Sequence, residues 1–268
     1  MLRQRVITAV CLVPVALAGL FGLDGGYFAL FTAMIVLLAG REWANLAGVA
    51  SGAGRLTVVA ALAVAMALLW FSGQSQAGWV LVIGALGWAL NLWWVIGHPE
   101  REAQWSSTTM RLAMGGWVLL PTWVGFNVLR DSGGVWLLFV LLLVWCADTG
   151  AYFFGRAFGK RKLAPKVSPG KSWEGVLGGM GVTAFLAVIF SLWQSLDLEA
   201  TIVLVVVTLG VTLTSVLGDL LESMLKRHRG LKDSSQLLPG HGGILDRIDS
   251  LTAAVPVFAL FFSWLVMA

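Results

Sequence analysis

The feature that most constrains this chain is a succession of long, unbroken apolar runs. Nine are placed, at roughly 6–23, 27–47, 56–72, 77–97, 112–129, 135–155, 174–194, 200–222 and 248–267. A helix needs about 20 consecutive apolar residues to cross a bilayer. The runs are continuous and do not alternate in ten-residue strands, so a membrane β-barrel is excluded. Only 12% of residues are charged, about half the ~25% of a soluble domain. The expected fold class is all-α, a polytopic membrane protein with about nine transmembrane helices. The run behind Met1–Arg5 resembles a signal peptide, and Ala16-Leu17-Ala18 mimics a cleavage site. It continues to Leu23 and further spans follow, so it reads as an uncleaved first helix. Cys11 and Cys146 lie inside apolar runs without metal or disulfide spacing and read as small buried hydrophobes.

Numbering the nine spans divides the eighteen Lys and Arg sharply: Arg130 falls alone on one side, and the other seventeen share the side of the N-terminus. Positive charge is retained in the cytoplasm, so the N-terminus is expected there and the C-terminus outside. The outer connections are short and nearly neutral: 24–26, 72–76, 130–134 and 195–199. Several tryptophans near span ends, among them Trp43, Trp70, Trp93, Trp94, Trp136 and Trp264, suit an interfacial belt.

Residues 1–130 read as scaffold. Arg41, Glu42 and Asn45 end the second span as snorkelling polar groups, and His98, in a Gly-His-Pro-Glu turn, reads as a solvated loop histidine. Residues 131–268 carry the chemistry. Asp148 sits about 20 Å along the sixth span by helical rise, at a depth where an unpaired carboxylate is costly. The next loop holds six basic residues and ends Ser168-Pro169-Gly170-Lys171-Ser172 before the seventh span. A helix N-terminus with a lysine and a hydroxyl is a phosphate site. Gly170-Lys171-Ser172 is no nucleotide P-loop, because Pro165 stands at the required glycine and no buried strand is expected before it. Gly175 and Gly179 form a helix-packing GxxxG.

Between Ser215 and Ser250 lies an island of charge: five of the chain's fourteen carboxylates beside five basic side chains. Charge in an apolar chain is functional by default. Asp219, Glu222, Ser223 and Lys226 share one face of the eighth span at i, i+3, i+4 and i+7. Asp246 and Asp249 share a face at the start of the ninth. Between them Leu238-Pro239-Gly240-His241-Gly242-Gly243 is a turn whose glycines would allow backbone to approach a phosphate. Carboxylates with lysines, arginines and glycine turns suit Mg²⁺ and polyphosphate. The competing reading is structural, with Asp246 paired to Lys226 and Asp219 to Arg247.

The run from Ser223 to Asp249, with SMLKRHRGLKD followed by LPGHGGILDRIDS, resembles the signature of the phosphatidate cytidylyltransferases, or CDP-diacylglycerol synthases. ADTGAYFFGR at Ala147–Arg156 and SPGKSWEG at Ser168–Gly175 are similar to that family too. The chain departs from the pattern at Gly170, Ser172 and Ser234. The resemblance implies Mg²⁺-dependent transfer of CMP from CTP to phosphatidic acid, with pyrophosphate released. It assigns catalytic roles to Asp148, Lys171, Asp219, Lys226, Asp246 and Asp249, and the metal to Asp219 and Asp246. Ser172, Ser223, Arg227, Lys232, His241, Gly242, Gly243 and Arg247 would bind substrate. Asp148 stands between second metal ligand and orienting group. Implied partners are CTP, phosphatidic acid and membrane lipids, with no nucleic acid; a homo-oligomer is compatible, and the implied location is a bacterial inner membrane. A CTP-dependent polyprenol kinase would use similar parts on an alcohol. A lipid transporter or flippase would instead need polar groups at mid-membrane, whereas here they collect at one end.

Overall fold

The computed structural model describes residues 14–267. Arg3, Arg5, Cys11 and the beginning of the first expected span lie outside these residues. The described part of that span, 14–22, is helical (α1). The chain then runs α2 (Gly25–Leu46), α3 (Gly52–Phe71), α4 (Gly78–Ile96), the single turn α5 (Glu102–Trp105), α6 (Thr108–Asp131) and α7 (Gly134–Phe158). A small hairpin of β1 (Lys162–Ala164) and β2 (Ser168–Ser172) follows, then α8 (Trp173–Trp193), α9 (Leu198–His228) and α10 (Leu245–Met267). Among the described residues seven helices, α2, α3, α4, α6, α7, α8 and α9, are long and apolar enough to cross a membrane. The protein is therefore an all-α integral membrane protein, and the small hairpin forms the only named strands among the described residues. α9 continues past the expected boundary to His228 because its last turns are amphipathic, with Leu220, Leu221, Met224 and Leu225 still buried.

Local sequence sets the helix starts. Ser51, Ser107, Ser172 and Asp197 each accept a backbone N–H from three residues ahead, at 3.0, 3.2, 3.2 and 2.8 Å, capping α3, α6, α8 and α9. Gly133, at φ +105°, makes the reversal between α6 and α7 that another residue would resist.

α2 and α6 run antiparallel and are pinned at both ends. At one, Trp43 Nε1 donates to the Arg111 carbonyl at 2.7 Å and Arg111 Nη1 to that of Leu46 at 3.1 Å. At the other, Arg130 donates to the Leu23 carbonyl at 2.9 Å and pairs with Asp24. Gln76 bonds Asp131 at that second end, so three of the connections expected on one face do lie together. The two halves of the chain are not separate bodies. Thr122 Oγ1 of α6 donates to the Thr252 carbonyl of α10 at 3.0 Å, and a Cβ on Gly125 would lie 3.0 Å from the Pro256 backbone. Rings of Phe139, Phe190 and Phe258 bind α7, α8 and α10, with centroids 4.4 Å and 5.7 Å apart. In lipid such packing works by close contact, since apolar surface is not withdrawn from water.

Candidate active site

The site forms where the first-named ends of these helices meet. α7 and α8 touch backbone to backbone: a Cβ on Gly175 would lie 2.8 Å from the Ala151 carbonyl, and one on Gly179 2.8 Å from that of Ala147. The expected GxxxG packing face is realised, and it sets Asp148 beside the start of α8. The hairpin then delivers Lys171. Its antiparallel strands pair Lys162 with Ser172 and Ala164 with Ser168. Glu174 folds its base by accepting the backbone N–H groups of Lys160 and Arg161 at 3.0 and 3.1 Å. A short strand does precede α8, but it is a largely unburied arm of a hairpin, so the buried strand of a P-loop is absent among the described residues, as expected.

Lys171 Nζ lies 2.7 Å from Asp219 Oδ2 on α9, while Ser223 Oγ donates to Asp219 Oδ1 at 3.1 Å. Asp148, Tyr152, Arg156, Lys171, Ser172 and Asp219 line a cleft of about 400 Å³. Ser172 is buried, and its Oγ caps α8.

The other half of the site lies deeper. A Cβ on Gly218 would stand 2.4 Å from the Asp249 carbonyl, so α9 and α10 meet closely and bring Asp249 within electrostatic range of Asp219. Lys226 Nζ bridges Glu222 Oε2 at 2.8 Å and Asp246 Oδ1 at 2.7 Å. Asp246 Oδ2 accepts Ser234 N at 2.9 Å, Ser234 Oγ at 2.8 Å and Gly243 N at 2.7 Å. Of the two structural ion pairs weighed from sequence, Lys226–Asp246 is present. Asp219 takes Lys171 instead of Arg247, which is exposed like Arg227 and Lys232.

The glycines of the connecting turn serve the protein's own carboxylates. Gly242, at φ +80°, would place a Cβ 2.7 Å from Asp246 Oδ2; on Gly243 it would meet Ser234 Oγ at 2.1 Å and Glu42 Oε2 at 2.6 Å. His241 leaves Nδ1 buried without a partner. Glu42, read from sequence as a snorkelling end group, is 4% exposed. It accepts Ser235 Oγ at 2.6 Å, Ser234 Oγ at 3.3 Å, Ile244 N at 3.1 Å and Leu245 N at 2.7 Å. Its one sequence signal was a carboxylate at the end of an apolar run. His98 also differs from expectation. Its ring packs 5.9 Å from Trp105, its Nδ1 is buried, and burial pushes its pKa below the ordinary value.

Asp148, Asp219, Asp249, Glu222 and Asp246 are linked in one electrostatic network in which Lys171 and Lys226 take part as cations. Glu222 Oε1 is buried within it and has no hydrogen-bond partner. An oxygen-rich, negatively overbalanced donor set with an orphaned buried oxygen fits a hard divalent cation. No three His, Cys, Asp or Glu side chains among the described residues form a ligand group by themselves. Mg²⁺ usually takes one or two carboxylates and leaves the remaining positions to phosphates and water.

A helical membrane bundle with lysines, carboxylates and a glycine turn gathered at one end defines an integral membrane protein equipped for phosphate chemistry. The chain belongs to the cytidylyltransferase family, whose sequence pattern matches residues 3–265. It is 48% identical over 262 residues to a phosphatidate cytidylyltransferase of Pseudomonas aeruginosa, covering 97% of this chain and 96% of the relative. The phosphatidate cytidylyltransferase of Haemophilus influenzae is 44% identical over 288 residues, covering 98% and 99%. That of Bacillus subtilis is 46% identical over 128 residues, about half of each chain.

Proposed function

We propose that this protein transfers CMP from CTP to phosphatidic acid, giving CDP-diacylglycerol and pyrophosphate. The observation that carries the reading is the Lys171–Asp219 pair at the mouth of a cleft, in a chain similar end to end to phosphatidate cytidylyltransferases. A phosphate oxygen of phosphatidic acid attacks the α-phosphorus of CTP, the bond from that phosphorus to the bridging oxygen breaks, and pyrophosphate leaves. The lipid phosphate is already an anion, so the protein's task is positioning and charge neutralisation.

Lys171 and the N-terminus of α8 hold the triphosphate, with Arg227, Lys232 and Arg247 as exposed cations that draw phosphates in. Ser172, at the cap of α8, and Ser223, beside Asp219, would donate hydrogen bonds to substrate, and His241 offers Nδ1 from the wall. Mg²⁺ would be held by Asp219 and Asp246, where it would neutralise charge on the triphosphate. Asp246 would be available to it by giving up its contact with Lys226, whose ammonium would then be free for a phosphate. Asp249 and Asp148 set the field around Asp219. Residues 131–268 carry this chemistry on the scaffold of 1–130. The chain crosses a bacterial inner membrane nine times, with its N-terminus and site on the cytoplasmic face, and CTP arrives from the cytosol.

The test is product analysis. Purified protein with CTP, Mg²⁺ and phosphatidic acid should yield CDP-diacylglycerol, and a polyprenol in place of phosphatidic acid should yield no phosphorylated lipid. Phosphorylated polyprenol without CDP-diacylglycerol would overturn the reading.

A further inference from the structure

Glu42 is on α2, in the half of the chain that carries none of the proposed chemistry, yet each of its carboxylate oxygens is filled from the segment 234–245. Oε1 accepts Ser235 Oγ and the Ile244 N–H; Oε2 accepts Ser234 Oγ and the Leu245 N–H. Leu245 opens α10 and Ile244 precedes it, and the first N–H groups of a helix have no partner within it. Helices usually satisfy them with a serine or aspartate one residue upstream. Here the cap comes from a helix 203 positions away in sequence, and its charge suits the positive end of the helix dipole. The segment leaves room for nothing larger, since a Cβ on Gly243 would fall 2.6 Å from Glu42 Oε2. Asn45, one turn further along α2, donates to the Ser234 carbonyl at 3.4 Å.

The same segment fixes Asp246. Ser234 gives one hydroxyl to both carboxylates, at 3.3 Å to Glu42 and 2.8 Å to Asp246, and Gly243 N–H lies 2.7 Å from Asp246 Oδ2. Asp246 is the first residue after the amide that Glu42 caps. Moving Glu42 would therefore shift the start of α10 and the donors that orient Asp246 together.

We propose that Glu42 is a positioning residue for the transfer reaction, acting through the 234–245 segment to hold Asp246 and, through it, Lys226. The proposal rests on the cytidylyltransfer reading for its catalytic readout. Two backbone N–H groups on two different oxygens make Glu42→Gln a sharp probe. The amide keeps the shape, but its NH₂ must face one of those donors and leave a buried N–H unsatisfied.

The experiment compares wild type, Glu42→Gln and Ser235→Ala in one detergent. It measures thermal stability, hydrogen exchange of the peptide spanning 233–247, and kcat and KM for CTP. Glu42→Gln is expected to remain folded, to exchange faster in that peptide while α6 peptides are unchanged, and to lose about 10- to 100-fold in kcat. Its KM for CTP should stay within about threefold, because the residue touches no nucleotide. A folded Glu42→Gln with wild-type kcat, or one whose activity falls only in proportion to folded protein, overturns the proposal. If Glu42→Gln does not fold, Ser235→Ala decides. Lower kcat and faster exchange at wild-type stability support the tether, and unchanged values of both overturn it. Exchange is read without substrate, so a wild type that makes no CDP-diacylglycerol fails the functional reading while the tether is still judged.

Discussion

Lys171 Nζ sits 2.7 Å from Asp219 Oδ2, and this contact joins β2, the strand before α8, to the C-terminal half of α9. The two side chains come from different elements, β2 and α9, and both remain partly open to the cleft. An ammonium held beside a carboxylate at a cleft mouth is pre-placed for a phosphate, which can take over one of its three donors.

From this follows the first expectation. Lys171→Ala should lower turnover by about 100-fold, the scale for removing one preorganised donor to a developing anion. Lys160→Ala should stay within about twofold of wild type, since Lys160 enters the structure through its backbone N–H to Glu174. Comparable losses in the two variants, measured as steady-state rates at saturating CTP, would reduce Lys171 to one charge in a diffuse basic patch.

The carboxylates give the second. Asp219→Asn and Asp246→Asn should each lower specific activity at least ~100-fold per folded molecule. For Asp219→Asn the unfolding temperature should change little, because its side chain is half-open. Asp246→Asn should also be less stable, because Asp246 Oδ1 accepts Lys226 and Oδ2 accepts three further donors. A Mg²⁺ titration of both variants checks the metal assignment. Wild-type activity and Mg²⁺ dependence in either variant removes that aspartate from the metal site.

Much of this was legible in the sequence. The helices followed from hydropathy, and the alignment of Asp219, Ser223 and Lys226 followed from helical spacing, because both depend only on near neighbours. The hairpin was not legible: its strands are three and five residues long, and Ser168-Pro169-Gly170 carries no alternation. Glu42 was missed for a different reason. One carboxylate at the end of an apolar run looks the same whether it snorkels or caps a distant helix, and its partners are 192 to 203 residues away. The turn glycines read from sequence as room for a phosphate, and in the structure the space over Gly242 and Gly243 is taken by Asp246, Ser234 and Glu42.

Sidedness gives a third expectation. In a background with Cys11 and Cys146 replaced, cysteines at Ser75 and Ser195 should react with an impermeant thiol reagent added outside intact cells. A cysteine at Gln236 should react only after the cells are opened. Ser234 is unsuitable for this purpose because it is buried against Glu42 and Asp246. Labelling of Gln236→Cys from outside would place the site on the wrong face for CTP.

A fourth concerns pH. Burial lowers the His98 pKa from its ordinary 6.5, with Glu102 and Glu100 opposing and Lys166 and His228 adding to the shift. A depressed pKa in the folded state means that the unfolded chain takes the proton more readily. The stability His98 contributes is therefore complete above pH 6.5 and is lost as pH falls through the lower folded value. His98→Asn should flatten the fall in thermal stability on acidification from about pH 7 to about pH 5. An unchanged slope would mean that His98 titrates as an open histidine.

The most direct measurement of the transfer itself uses CTP labelled in turn at the α- and γ-phosphorus, with phosphatidic acid, Mg²⁺ and the purified protein, followed by lipid extraction. Attack at the α-phosphorus predicts α-label in the lipid phase and γ-label remaining in water as pyrophosphate, with Asp219→Asn lowering both the lipid label and the labelled pyrophosphate at least ~100-fold. Label from the γ-position in the lipid, or none from the α-position with active-site residues intact, would contradict cytidylyl transfer.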